Sequence, residues 1–137
     1  MDAARILIIA GASVVGVLGA LHLIYTFFGR KLLPRDPGLV GAMKASSLVI
    51  TRQTTVWNAW IGFNASHSLG AILFALVYVL LAAQHMNVLA QSSLVPVGFA
   101  VLLAYLWLAH AYWFRVPFAG IAIATACFAV AAVLLFL

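Results

Sequence analysis

Long apolar runs of this 137-residue chain contain three histidines, His22, His67 and His110, and the second run also contains Asn64. Polar side chains in such runs are costly and often functional. Neutral imidazole is a common ligand of zinc, copper and iron. His22, His67 and His110 are therefore candidate ligands of a transition metal or of a haem iron.

The same part of the chain fits a site for an amphipathic small molecule, such as a quinone, an isoprenoid or a lipid head group. These sites are mostly apolar and aromatic, with a few polar groups that converge on the ligand. Trp60, Asn64 and His67 share one helical stripe, which should face other helices and not lipid. The candidate ligand-binding residues are His22, Tyr25, Trp60, Asn64, His67, Ser68 and His110. A third interpretation is structural, because His and Asn also hydrogen-bond between membrane helices.

Depth in the membrane decides which histidines can meet. With a rise of 1.5 Å per residue, His22 and His110 lie about 10 and 7 Å from the inner boundary of their apolar runs. His67 lies about 18 Å from the start of its own run. The spacing therefore predicts that His22 pairs with His110. A three-histidine site would need His67 to lie about 8 Å closer to the inner face.

No catalytic residue can be assigned from the sequence. The chain has only two acidic residues, Asp2 and Asp36, and neither lies within an apolar run. It also lacks the nucleophile-elbow, zinc-protease, phosphate-loop and dinucleotide-binding motifs. The sequence therefore favours binding over catalysis.

The composition assigns these residues to membrane helices. The chain is 67% hydrophobic and 7% charged, with a mean hydropathy of +1.21, whereas soluble domains carry about 25% charged residues. Four apolar runs, about 6–28, 55–83, 93–114 and 118–137, can each cross a core of about 30 Å as a helix. No alternating pattern of a barrel is present. We predict one all-α domain over residues 1–137, a transmembrane four-helix bundle.

The basic residues predict its orientation. There are seven Lys and Arg residues, and five of them lie between the first two apolar runs: Arg30, Lys31, Arg35, Lys44 and Arg52. With Arg115 in the third loop and Arg5 near the N-terminus, the positive-inside rule places the first and third loops in the cytoplasm and both termini outside. Bases beside membrane spans contact lipid head groups, so nucleic acid is not an expected partner.

The first loop contains its own helix signal. Asp36 followed by Pro37 is typical of a helix start. Apolar and small residues then recur at roughly helical spacing, at Leu39, Val40, Met43, Ser47 and Ile50. This pattern predicts a short helix at the inner membrane surface, with Lys44 on its polar side. Thr54 is the expected cap of the second span.

Small residues form stripes on two of the predicted spans. Ala12, Gly16 and Ala20 are spaced by four on the first, as are Gly120 and Ala124 on the fourth. Such stripes allow helix backbones to approach closely in lipid. They predict either packing within one bundle or an interface between two copies of the chain.

Two stretches resemble a family of small, uncharacterised bacterial integral membrane proteins. They are HLIYTFFGRK (22–31) with the PRD that begins at residue 34, and TTVWNAWIGFNASHSLG (54–70). The resemblance covers the first two spans and the loop between them. It implies a protein of the bacterial inner membrane and supplies no activity, cofactor or substrate.

These observations predict a small inner-membrane protein with a ligand-binding site in the cytoplasmic half of the bundle. The expected ligand is a haem, a transition metal or a quinone-like molecule. The alternative is a non-catalytic structural or assembly subunit of a larger membrane complex. Its expected partners are then another membrane protein or a second copy of the chain, besides the lipid bilayer.

Overall fold

The structure is a computed structural model that describes residues 1–136. Along these residues the elements are α1 (Asp2–Phe27), α2 (Pro37–Ala45), β1 (Ser47–Leu48), β2 (Thr51–Thr55), α3 (Val56–Gln84), α4 (Met86–Ala90), α5 (Leu94–Tyr112) and α6 (Arg115–Phe136). The long helices α1, α3, α5 and α6 are each long and apolar enough to cross a membrane. They correspond to the four predicted spans. The short helix α4 has no counterpart among the predicted elements, and two of its residues, Met86 and Leu89, are buried.

The ends of α1 and α3 follow from local chemistry. The Phe28 N–H donates to the Ile24 carbonyl at 2.7 Å, and Gly29 then adopts a φ of 91°, which favours glycine after a helix end. At the start of α3, the Thr55 hydroxyl accepts from the Asn58 N–H at 3.2 Å. Thr55 therefore caps this helix, and the prediction of Thr54 was wrong by one residue.

The predicted helix in the first loop is present as α2. The Asp36 side chain accepts from the Gly38 N–H at 2.8 Å, and Pro37 occupies the first turn, where its missing N–H costs nothing. The helix ends at Ala45, so the prediction that Ser47 and Ile50 continue the helical pattern was wrong.

Those two residues belong to a β-hairpin instead. The strands β1 and β2 pair antiparallel, with Ser47 opposite Thr55 and Leu48 opposite Thr51. A run of β-branched residues, 49–51, lies at this point, and such residues favour extended structure over helix. Val49 and Ile50 form the turn.

The chain divides into two compact units. The first, here called the bundle unit, comprises Met1–Leu18 and the chain from Ala71 onward. All four long helices contribute to it, and its fully buried side chains include Ile8, Leu102 and Phe128. This unit confirms the predicted all-α transmembrane four-helix bundle. The second, here called the polar unit, is Gly19–Gly70, which holds the end of α1, the loop with α2 and the hairpin, and the start of α3.

Small residues hold the bundle unit together. A Cβ atom at Gly16 would lie 2.8 Å from the Ala75 Cβ on α3, and one at Gly120 would lie 2.6 Å from the Leu18 Cδ1 on α1. Ala12 and Ala124 are fully buried. Ala12 and Gly16 on α1, and Gly120 and Ala124 on α6, therefore pack within the bundle unit.

Candidate ligand-binding site

A hydrogen bond joins the two membrane-helix segments of the polar unit. His22 lies near the end of α1, and Asn64 lies near the start of α3. The His22 Nε2 and the Asn64 Oδ1 are 2.8 Å apart. Both side chains are half-buried. The sequence places these two residues 42 positions apart, so the fold alone brings them together.

A second hydrogen bond fixes the direction of the first. The Asn64 Nδ2 donates to the backbone carbonyl of Trp60, one turn earlier on α3, at 2.7 Å. A flipped amide would set two acceptor oxygens against each other there. The Oδ1 of Asn64 must therefore accept from His22, which requires the proton to be on the His22 Nε2. In the neutral ring this leaves the Nδ1 as a hydrogen-bond acceptor.

His67 completes the cluster. Its ring centroid lies 5.6 Å from that of His22, and the two planes meet at 76°, so the rings pack edge to face. The predicted depths disfavoured this contact between His22 and His67, and the pairing of His22 with His110 stays a prediction. The predicted depths place the end of α1 and the start of α3 at the same level of the membrane. With these rings at one level, the start of α3 extends about 9 Å beyond the end of α1.

Two hydroxyl groups beside the cluster bond to their own helices. The Thr26 Oγ1 donates to the His22 carbonyl, and the Ser68 Oγ donates to the Asn64 carbonyl, both at 2.8 Å. Ser68 is fully buried. It is a predicted ligand-binding residue, but its hydroxyl supports the turn of α3 that carries Asn64. This satisfies its polar group without a partner on another helix.

The predicted aromatic residues lie at the loop side of the polar unit. The Trp60 ring stacks on Trp57, with centroids 5.3 Å apart, so its contribution to the cluster is the carbonyl that holds Asn64. The Tyr25 hydroxyl accepts from the Lys31 Nζ at 2.9 Å. The Lys44 Nζ lies 5.4 Å from the Trp57 ring centroid. Tyr25 and the Trp57–Trp60 pair thus interact with the basic loop as well as with the helices.

His110 belongs to the bundle unit and is exposed. Its ring lies 6.0 Å from that of Phe118. The buried face of α5 is formed by Val95, Gly98, Leu102 and Ala109, and His110 follows this face by one residue. Within residues 1–136, no three His, Cys, Asp or Glu side chains are grouped so that they could hold a metal ion.

The backbone carbonyls that hold the side chains of the cluster were not predicted from the sequence. Thr26, Asn64 and Ser68 each bond to a carbonyl four residues earlier. That spacing is a recognisable signal for Ser and Thr in helices. For Asn64 the same bond determines which atom faces His22, so the backbone of Trp60 is part of the site.

Comparison of the chain with protein-family models, with curated proteins and with solved structures gives no match. The resemblance of residues 22–36 and 54–70 to a bacterial membrane-protein family stays a prediction.

Proposed function

We propose that this chain is a small protein of the bacterial inner membrane that binds an amphipathic molecule with a hydroxyl-bearing head group. A quinol, the reduced form of a quinone, is the ligand class that fits best. The site is formed by His22, Asn64 and His67, in the cytoplasmic half of the membrane. The apolar tail of such a ligand would lie among the membrane helices, where it needs no polar partner.

One observation carries this proposal: the Asn64 amide holds His22 with its Nε2 proton directed at the amide oxygen. The Nδ1 of His22 then accepts a hydrogen bond from a ligand hydroxyl. A quinol or an isoprenoid alcohol offers such a donor. A hydrogen bond of this kind is short in range and directional, so a fixed ring orientation favours one ligand pose.

The same hydrogen bond occupies the Nε2 of His22, so that a metal or a haem iron could bind this ring only through the Nδ1. Metal binding through the Nε2 would break the bond to Asn64 that orients the ring. Further metal ligands are also limited, because no group of three His, Cys, Asp or Glu side chains that could hold a metal ion is found among residues 1–136. Metal and haem therefore rank below a hydrogen-bonded ligand.

The alternative, a subunit of a larger complex, draws support from the stripes of small residues. Gly16 and Gly120 are occupied by contacts within the bundle unit. This removes one of the observations that favour a partner protein, so ligand binding is the function we propose.

A titration with a short-chain quinol tests the site. Purified protein in a mild detergent is titrated with ubiquinol-1 under reducing conditions, and binding is followed by tryptophan fluorescence. His22→Ala and Asn64→Leu should raise Kd by roughly 2- to 13-fold, the value of one neutral hydrogen bond. His110→Ala is the matched control, because this histidine is exposed in the bundle unit. It should leave Kd unchanged.

Two results would overturn the assignment. Equal Kd values for wild type, His22→Ala and His110→Ala would mean that the cluster is structural. A visible haem spectrum, or a stoichiometric metal that is lost in His22→Ala or His67→Ala, would replace the quinol with that group. Both measurements are made on the same protein preparation.

The proposed orientation has its own test. It rests on six bases in the first and third loops against Arg5 near the N-terminus. In a Cys127→Ala background, Asn87→Cys should react with a membrane-impermeant maleimide in intact spheroplasts. Gln53→Cys should react only after lysis. Both positions are exposed, so the reverse pattern would invert the proposed topology.

A further inference from the structure

The loop between α1 and α3 combines strong positive charge with exposed apolar residues. Residues 28–55 hold five of the seven basic residues and a single acid, Asp36. The Asp36 carboxylate accepts from the Gly38 N–H and so stabilises the start of α2. With five bases and one acid, the loop therefore carries a formal charge of +4.

The apolar residues form the tip of the hairpin. Val49 and Ile50 make its turn, and they are 109% and 89% exposed. Hairpin turns usually contain Gly, Asn or Asp, because these residues readily adopt the backbone angles of a tight turn and are compatible with exposure to water. A valine and an isoleucine at this position leave two branched apolar side chains without a covering surface in the protein.

The connections of the hairpin determine where this tip can lie. The strand β2 ends at Thr55 and α3 begins at Val56, so the hairpin continues directly into a membrane-spanning helix. Lys44 of α2 lies 5.4 Å from the ring of Trp57 in the first turn of α3. Tryptophan is the residue type enriched at the depth of lipid head groups. The helix α2 and the hairpin therefore lie at the membrane boundary.

From this combination we infer that the loop is a binding surface for anionic phospholipid. The Val49–Ile50 tip enters the boundary between head groups and acyl chains. Lys44 and Arg52, on either side of the tip in sequence, contact lipid phosphates. This surface is distinct from the His22 cluster and does not depend on the ligand proposed there.

Insertion of the tip is measured with spin labels. Ile50→Cys and Gln91→Cys are each made in a Cys127→Ala background and labelled with a nitroxide, in vesicles of equal parts phosphatidylcholine and phosphatidylglycerol. Gln91 is the control, since it is exposed after α4 on a different connection. The label at residue 50 should collide with oxygen more, and with a water-soluble nickel chelate several-fold less, than the label at residue 91. Equal nickel accessibility at both positions would overturn the insertion.

The preference for anionic lipid is measured by quenching of Trp57. Brominated phosphatidylglycerol or brominated phosphatidylcholine is titrated into the protein in neutral maltoside micelles, with Trp57→Phe to subtract the other tryptophans. Each base near a membrane surface is worth about fivefold in affinity for anionic lipid. The double variant K44Q/R52Q should therefore lose roughly 25-fold of the preference for phosphatidylglycerol.

The control variant is Arg5→Gln, which removes a base from the bundle unit. It should retain the full lipid preference of the wild type. Soluble glycerol phosphate at millimolar concentration should not compete, because the surface binds a lipid and not a free phosphate. Equal affinities for the two brominated lipids in the wild type, or full competition by glycerol phosphate, would overturn the inference.

Discussion

Gly16 provides a test of how the bundle unit is packed. A methyl group at this position would place two Cβ atoms, those of residues 16 and 75, only 2.8 Å apart. Carbon atoms that are not bonded prefer about 3.5–4.0 Å, so α1 and α3 would have to separate locally by roughly 1 Å. Neither methyl group has a rotamer that relieves this contact. Overpacking of this kind costs about 1–3 kcal/mol.

The helix propensity of alanine acts in the opposite direction. Alanine favours helix over glycine by about 1 kcal/mol in a helix interior. The net effect of Gly16→Ala on the free energy of unfolding is then a loss of about 0–2 kcal/mol. Gly62→Ala is the matched control, because a Cβ atom added at this position of α3 would meet no atom within 4 Å. It should gain up to about 1 kcal/mol, and the difference between the two variants isolates the steric cost.

The measurement is equilibrium unfolding by sodium dodecyl sulfate in mixed micelles, followed by circular dichroism. Ala75→Gly removes the atom that a methyl group at Gly16 would meet. The double variant should therefore recover about 1–3 kcal/mol relative to the sum of the two single variants. Sedimentation of the detergent-solubilised protein reports the oligomeric state of each variant.

Two outcomes would refute this reasoning. If Gly16→Ala and Gly62→Ala change the free energy of unfolding equally, the close contact with Ala75 imposes no steric cost. If Gly16→Ala instead changes the oligomeric state and leaves unfolding unaltered, the stripe on α1 is an interface between copies. The second result would restore the partner-protein alternative.

Three further predictions concern other contacts, and each has its own measurement. Gly98→Ala would place a Cβ 2.5 Å from the Tyr78 Oη, and this overpacking, less about 1 kcal/mol of helix propensity, should lower the free energy of unfolding by about 0–2 kcal/mol; a gain of about 1 kcal/mol, as for Gly62→Ala, would contradict the packing of that ring. Asp36→Ala should cost α2 about 1 kcal/mol, seen as faster amide hydrogen exchange confined to that helix. A double-mutant cycle with His22→Ala and Asn64→Leu should give a coupling of about 0.6 and at most about 1.7 kcal/mol, whereas zero coupling would mean that the hydrogen bond is not made.

Features with a local cause could be predicted from the sequence. The four apolar runs specify helices because a backbone in lipid must satisfy its own hydrogen bonds. Asp36 and Pro37 specify the start of α2 because capping involves only neighbouring residues. The hairpin was missed because Ser47 and Ile50 fit a helical spacing as well as an extended strand, and the pairing of β1 with β2 decides between them.

The arrangement of the site depended on information that the sequence does not contain. Whether His22 meets His67 depends on how far α3 extends beyond α1, and the sequence of the loop between these helices does not indicate this offset. The side of α5 that faces the protein was also hidden. Nearly every residue of α5 is apolar, so hydrophobicity does not distinguish its buried side from its exposed side. Only small residues such as Gly98 and Ala109 indicate the buried side.

The hydrogen-bond partner of His22 is an amide and not a carboxylate, and this difference affects which ligands the site can bind. Metal-bound histidines often donate their second N–H to a carboxylate, which makes the ring a stronger ligand. A carboxylate at this depth would be costly, and the chain has no acidic residue within α3. Asn64 fixes the ring without adding charge, and its own Nδ2 is satisfied by the Trp60 carbonyl. A neutral, oriented imidazole is suited to exchange hydrogen bonds with an uncharged hydroxyl ligand, and it gives a cation no compensating charge.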